Sequence, residues 1–186
     1  MDYRQLPLFT VCPSVWGVAC VVAFCVWYAD PEVRYNPQHD YQLRSLSGIM
    51  TFNKPVFSFL MSCFGCTSLG GLLIRFQHQP TPTMLSLVLF WALLGVLCFD
   101  VHDHKPAHLL FLLAFMVAAF TLTHAVDPRR ISVPLCDGLF ALFAGVLIIN
   151  QAWAAGVYPL MSIQAVCEIM WVLAFSAWVV NQAASE

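Results

Sequence analysis

Six runs of about twenty apolar residues dominate the chain, and a proline stands at the head of five of them. A helix needs about 20 apolar residues to cross the hydrocarbon core of a bilayer. The runs are Leu8 to Tyr28, Pro55 to Phe76, Pro82 to Phe99, Pro106 to Val126, Pro134 to Trp153 and Pro159 to Val180. In the first turn of a helix proline's missing N–H leaves no bond unmade, and its fixed φ is already helical. The pattern therefore predicts an all-α, polytopic membrane protein: a compact antiparallel bundle of six transmembrane helices forming a single domain over residues 1–186. The third run is the shortest and needs little tilt or a thinned bilayer.

Composition closes off the soluble alternative. Hydrophobic residues make up 60% of the 186 and charged ones only 10%, against about 25% charged in a soluble domain. Eight Lys/Arg and ten Asp/Glu are too few to cover a soluble globule. A net charge of −2 excludes the basic footprint that nucleic acid requires. The eight cysteines lie in or beside apolar runs, where cysteine acts as a small hydrophobe; the Cys63-Phe-Gly-Cys66 pair is read as packing rather than redox chemistry. The first run has no clear small-residue cleavage site and reads as a retained signal anchor.

Residues 29–54 form one long polar and aromatic loop, whereas the other linkers are short, so consecutive helices are expected to be antiparallel neighbours. With a cytoplasmic N-terminus, Arg4, Arg75, Arg129 and Arg130 lie inside against Arg34, Arg44, Lys54 and Lys105 outside. The counts tie, but the inner four sit in shorter loops close to helix ends, where the positive-inside bias is read. Both termini are therefore placed in the cytoplasm. Small residues suggest packing seams: Ala107, Ala114, Ala118, Thr121 and Ala125 in the fourth run, Gly138, Ala141 and Gly145 in the fifth.

Ionisable groups inside a membrane segment cost about 2.5–3.5 kcal/mol to insert and default to functional candidates with a partner. Asp100 and Asp137 fall near helix ends, while Glu168 falls near mid-membrane on one face with Gln164, Trp171 and Phe175. That face is expected to point into the bundle, with Glu168 protonated or hydrogen-bonded because burial disfavours its charge. The densest polar cluster is Asp100-Val-His102-Asp103-His104-Lys105-Pro106-Ala107-His108. Its donors suit zinc or a di-metal centre, but a di-metal lipid hydroxylase needs several such clusters, so no metal is assigned. His108 and His124 stand near opposite ends of one segment, which excludes paired haem ligation between them. No lysine lies mid-helix for a retinal Schiff base. No cofactor is expected.

Three stretches carry a family resemblance: Ser47-Gly48 followed by Pro55-Val-Phe-Ser58; His104-Lys-Pro-Ala107-His-Leu-Leu-Phe111; and Glu168 ahead of Trp171 and Phe175. They resemble the six-helix family that includes the damage-regulated autophagy modulators, the Frag-type proteins and the post-GPI-attachment factor 2 proteins. The chain departs from that family in placing Glu168 centrally in its last helix and in ending on Val179-Val180-Asn181-Gln182. The resemblance implies a eukaryotic endomembrane protein of the ER, Golgi or lysosome that handles lipids, as in remodelling of GPI-anchor lipids. It points to His104 and Glu168; Asp100, His108 and Asp137 stand beside them as candidates from their place in or at the edge of membrane segments. Membrane lipids are the expected partners, and whether the chain is an enzyme is left open, the non-catalytic side being preferred. Two other readings stand beside this one: a non-catalytic subunit of a larger membrane complex, and a channel or proton-coupled transporter using Glu168, Asp137 and the histidines. No charged ring or broken-helix pair supports the last.

Overall fold

The computed structural model describes residues 63, 65–99, 104–126, 132–152 and 161–184, together with Val15, Val18, Val21, Val22 and Cys25 of the first apolar run. Asp100, the loop 29–54, the Ser47 to Ser58 stretch and the Arg129-Arg130 linker lie outside the described residues. The elements are all helical: α1 (Cys66–Arg75), α2 (Pro80–Cys98), α3 (Lys105–Val126), α4 (Ser132–Ala152) and α5 (Met161–Ala184). Four stretches, Pro80–Cys98, Lys105–Val126, Pro134–Ala152 and Ile163–Gln182, are long and apolar enough to cross a bilayer. The described part of the chain thus fits a polytopic membrane bundle.

Proline begins α2 for a local reason. Gln79 is extended (φ −119°, ψ 101°) and Pro80 follows at the first helical position, since a residue before proline is pushed out of the α region. Pro82 lies two residues further in and is buried. The α1–α2 turn is closed by the Gln79 N–H on the Phe76 carbonyl at 2.7 Å and by the Thr83 hydroxyl on the same carbonyl.

α2 and α3 form one closely packed pair and α4 and α5 a second; α1 packs on α2 and α5, and α3 on α4. α5 is the central element: 61% of its membrane window is buried, against 22–33% for the other three. Its inward face carries Gln164, Glu168, Trp171, Phe175 and Trp178, all buried, as the spacing of the first four predicts. Its outward face carries Ile163, Val166, Met170 and Leu173. Outward faces elsewhere are equally apolar, with Met84, Val88 and Trp91 on α2 and Leu110, Leu113 and Val117 on α3. Polar groups instead lie inside, where Ser86 and Ser176 each donate to the carbonyl one turn back at 2.8 Å. Apolar outside and partly polar inside is the arrangement lipid stabilises, because every polar group must find its partner within the protein.

The small-residue seams need correction. Of the fourth-run stripe, Ala118 is buried, but Thr121 and Ala125 face outward. Gly138 and Ala141 are exposed, and a Cβ added at Gly138 or Gly145 would meet nothing within 4 Å. α4 instead turns Cys136, Phe143, Val146 and Asn150 inward. The large flat rings of α5 are filled by a ring such as Phe143, not by a glycine notch. The close approach lies at Gly95 of α2, where a Cβ would come within 2.2 Å of the Phe111 ring on α3.

Candidate functional site

α3 runs from one end of the bundle to the other, and its two ends carry different chemistry. At its start His104 is exposed and meets Phe99 edge-on at 5.8 Å. One turn on, His108 is buried, and its Nδ1 lies 2.8 Å from the Phe99 carbonyl oxygen. A carbonyl only accepts, so Nδ1 carries the hydrogen; the buried Nε2 has no partner. This contact, with Phe99 stacked on Phe111 at 5.3 Å, locks the α2–α3 corner. At the same end, Asn150 Nδ2 donates to Gln164 Oε1 at 2.7 Å, tying α4 to α5 inside the core. Glu168, one turn further along α5, is buried, and its side chain is engaged rather than isolated.

At the other end of α3, His124 Nε2 lies 3.2 Å from Asp137 Oδ2 on α4, and His124 Nδ1 lies 2.9 Å from the Phe120 carbonyl. Both neighbours present oxygen atoms to the ring. The pair is half-buried, its side chains 38% and 32% exposed. Asp137 Oδ1 is covered and has no hydrogen-bond partner.

Beside this pair opens a notch of about 180 Å³, counting the space at its mouth, lined by Ala119, Phe120, Thr123, Cys136, Asp137, Phe140, Trp171 and Phe175. Rings lead from it into the bundle. His124 packs on Phe120 at 4.4 Å, Phe120 on Phe140 at 5.1 Å, Phe140 on Trp171 at 6.2 Å and Trp171 on Phe175 at 6.1 Å. Its enclosed part has room for about one water molecule, so only a small polar group fits inside and anything larger rests at the mouth.

The structure separates the residues singled out in the sequence. His104 and His108 stand at one end of α3, and Asp137 stands with His124 at the other, about 30 Å away along the helix axis. Neither His104 nor Glu168 lines the notch. Among the described residues no three His, Cys, Asp or Glu side chains come together as metal ligands. The residue missed in the sequence is His124. The signal was present: His124 ends one helix and Asp137 begins the next across a short linker, and antiparallel neighbours bring such positions to one level. No family model, no curated protein and no solved structure matches the chain.

Proposed function

We propose that the protein handles membrane lipids, seating part of an amphipathic molecule at the His124–Asp137 notch without itself performing chemistry on it. One observation carries the reading: a polar pair and an aromatic-walled notch lie side by side at the end of the bundle. Such a site complements a molecule with a polar head and an apolar body. Among the described residues nothing in the notch resembles an activated nucleophile. Cys136, the nearest thiol, is buried, and Thr123 spends its hydroxyl on the Phe120 carbonyl at 2.8 Å. Against conduction stands the bundle centre, where Phe143, Trp171, Phe175 and Trp178 fill the space. The finer form of the proposal, remodelling of GPI-anchor lipids in a eukaryotic endomembrane with both termini cytoplasmic, rests on the family resemblance alone.

Lipid mass spectrometry of cells lacking the protein tests this reading, with GPI-anchor lipids and phosphoinositides included. The expected result is a changed lipid profile restored by the wild-type chain and not by a His124→Ala, Asp137→Asn double variant. A profile indistinguishable from normal overturns it.

A further inference from the structure

His124 and Asp137 join the two closely packed helix pairs of the bundle, α3 belonging to one and α4 to the other. The ring of His124 is oriented by its own helix. It lies 4.4 Å from the Phe120 ring, which in turn meets Phe140 of α4 at 5.1 Å. Its Nδ1 lies 2.9 Å from the Phe120 carbonyl, which also accepts the Thr123 hydroxyl at 2.8 Å. A carbonyl only accepts, so Nδ1 carries a hydrogen. Nε2 then faces Asp137 Oδ2 at 3.2 Å.

A neutral imidazole with its hydrogen on Nδ1 has a lone pair on Nε2, and an ionised carboxylate offers only lone pairs. Lone pairs at that distance repel, and more strongly away from bulk water. A proton turns the contact into a hydrogen bond. It lies on Nε2, giving imidazolium against carboxylate, or on Oδ2, giving a carboxylic acid against neutral imidazole; both forms hold one proton in the contact. The side chains are 38% and 32% exposed, so water reaches the pair and exchanges that proton. We propose that this contact is a proton-dependent clasp: with its proton it ties the end of α3 to the start of α4, and without it the two helix ends part beside the notch. Its control of the notch rests on the lipid-handling reading; the clasp itself does not. Other titratable groups stand near the pair. Cys136 lines the notch from α4, whereas α5 presents Trp171 and Phe175 to it. The linker between the two helices carries Asp127, Arg129 and Arg130 in the sequence.

Folding takes up the proton held in the contact, so its contribution to stability is present at low pH and is lost as pH rises through the titration of the pair. Thermal unfolding of the full-length protein in detergent, from about pH 5 to about pH 9 and so across the ordinary histidine value, measures this. Over that range the wild type is expected to lose about 2–4 °C in Tm more than Asp137→Asn, the shift that one hydrogen bond produces in a chain of this size. In Asp137→Asn an amide N–H donates to neutral Nε2, so the contact holds at every pH. His124→Gln offers an amide N–H to Asp137 in the same way and replaces that variant if it fails to fold. A triple variant, Asp127→Asn with Arg129→Gln and Arg130→Gln, should keep the wild-type profile. Nitrogen NMR of the wild type should show Nε2 of His124 changing with pH while Nδ1 stays protonated. The same pH profile in the wild type and the amide variants, a profile lost in the linker variant, or an Nε2 signal that does not move overturns the clasp. Lipid retained by the wild type, counted by native mass spectrometry at both ends of the pH range, should differ, and in Asp137→Asn should not. Equal retention in the wild type overturns the control of the notch and leaves the lipid-handling reading standing. No lipid retained at either pH overturns that reading and leaves the clasp.

Discussion

Gly95 and Gly138 show how little a residue type says without its neighbours. Both lie in helices, where glycine is about 1 kcal/mol worse than alanine. At Gly138 a methyl group enters open space, so Gly138→Ala is expected to leave stability unchanged or raise it by up to about 1 kcal/mol. At Gly95 the same methyl meets the Phe111 ring at 2.2 Å, and that ring is held by its stack on Phe99. Gly95→Ala should therefore cost about 1–3 kcal/mol, the range for overpacking; denaturation in detergent measures both. Asn150 and Gln164 allow a second test. Their hydrogen bond is buried between two helices, and such bonds in membrane proteins couple by about 0.6 kcal/mol on average, at most about 1.7. A double-mutant cycle with Asn150→Ala and Gln164→Ala should return a coupling in that range, and a value of zero would show that the two side chains do not cooperate. The inward place of Glu168 was legible because Gln164, Trp171 and Phe175 recur with it at helical spacing. For His124 only the shared level with Asp137 was legible, from the short linker between antiparallel helices; the contact itself depends on how each helix is turned.

Among the elements, α5 carries the core. Its inward ladder of Trp171, Phe175 and Trp178 stacks in sequence at 6.1 and 5.7 Å and is met by Phe115 from α3 and Phe143 from α4. Offset aromatic pairs add about 0.5–1.5 kcal/mol each beyond the area they bury. Truncating Trp171 to alanine is expected to cost about 3–5 kcal/mol. Its neighbour Met170 faces outward, so Met170→Ala should cost under about 1 kcal/mol, since lipid fills the space as well as the side chain did. Thermal unfolding in matched detergent distinguishes them, and equal losses would mean that α5 is rotated from the orientation described. The starts of α2, α3 and α4 fall within two residues of the proline that marks each, and Pro80 rather than Pro82 takes the first position of α2. Which face of α4 packs was not readable from small residues, because the neighbouring helix is an aromatic wall and a wall is met by bulk.

At the scale of the whole molecule, the outward surface is the membrane test. Trp91 is 62% exposed on α2, whereas Trp178 is fully buried. In vesicles carrying brominated acyl chains, a variant retaining Trp91 as its single tryptophan should lose fluorescence strongly, and one retaining Trp178 should not. Quenching of Trp91 by an aqueous quencher instead would place α2 outside the hydrocarbon.

The amino-acid sequence by itself determined the solvent and the elements. With 60% hydrophobic residues arranged in bilayer-length runs, every backbone polar group must bond within its own segment, and a helix does that locally. It also determined that Glu168 shares a face with aromatics, since helical spacing is a local property. The tertiary structure alone decided that His124 turns toward Asp137, and that Gly95 rather than Gly138 receives a neighbouring ring. These depend on how far each helix is turned and slid against the next. In lipid no hydrophobic drive between helices sets that rotation; shape and a few internal polar contacts set it, and those exist only once the helices have met.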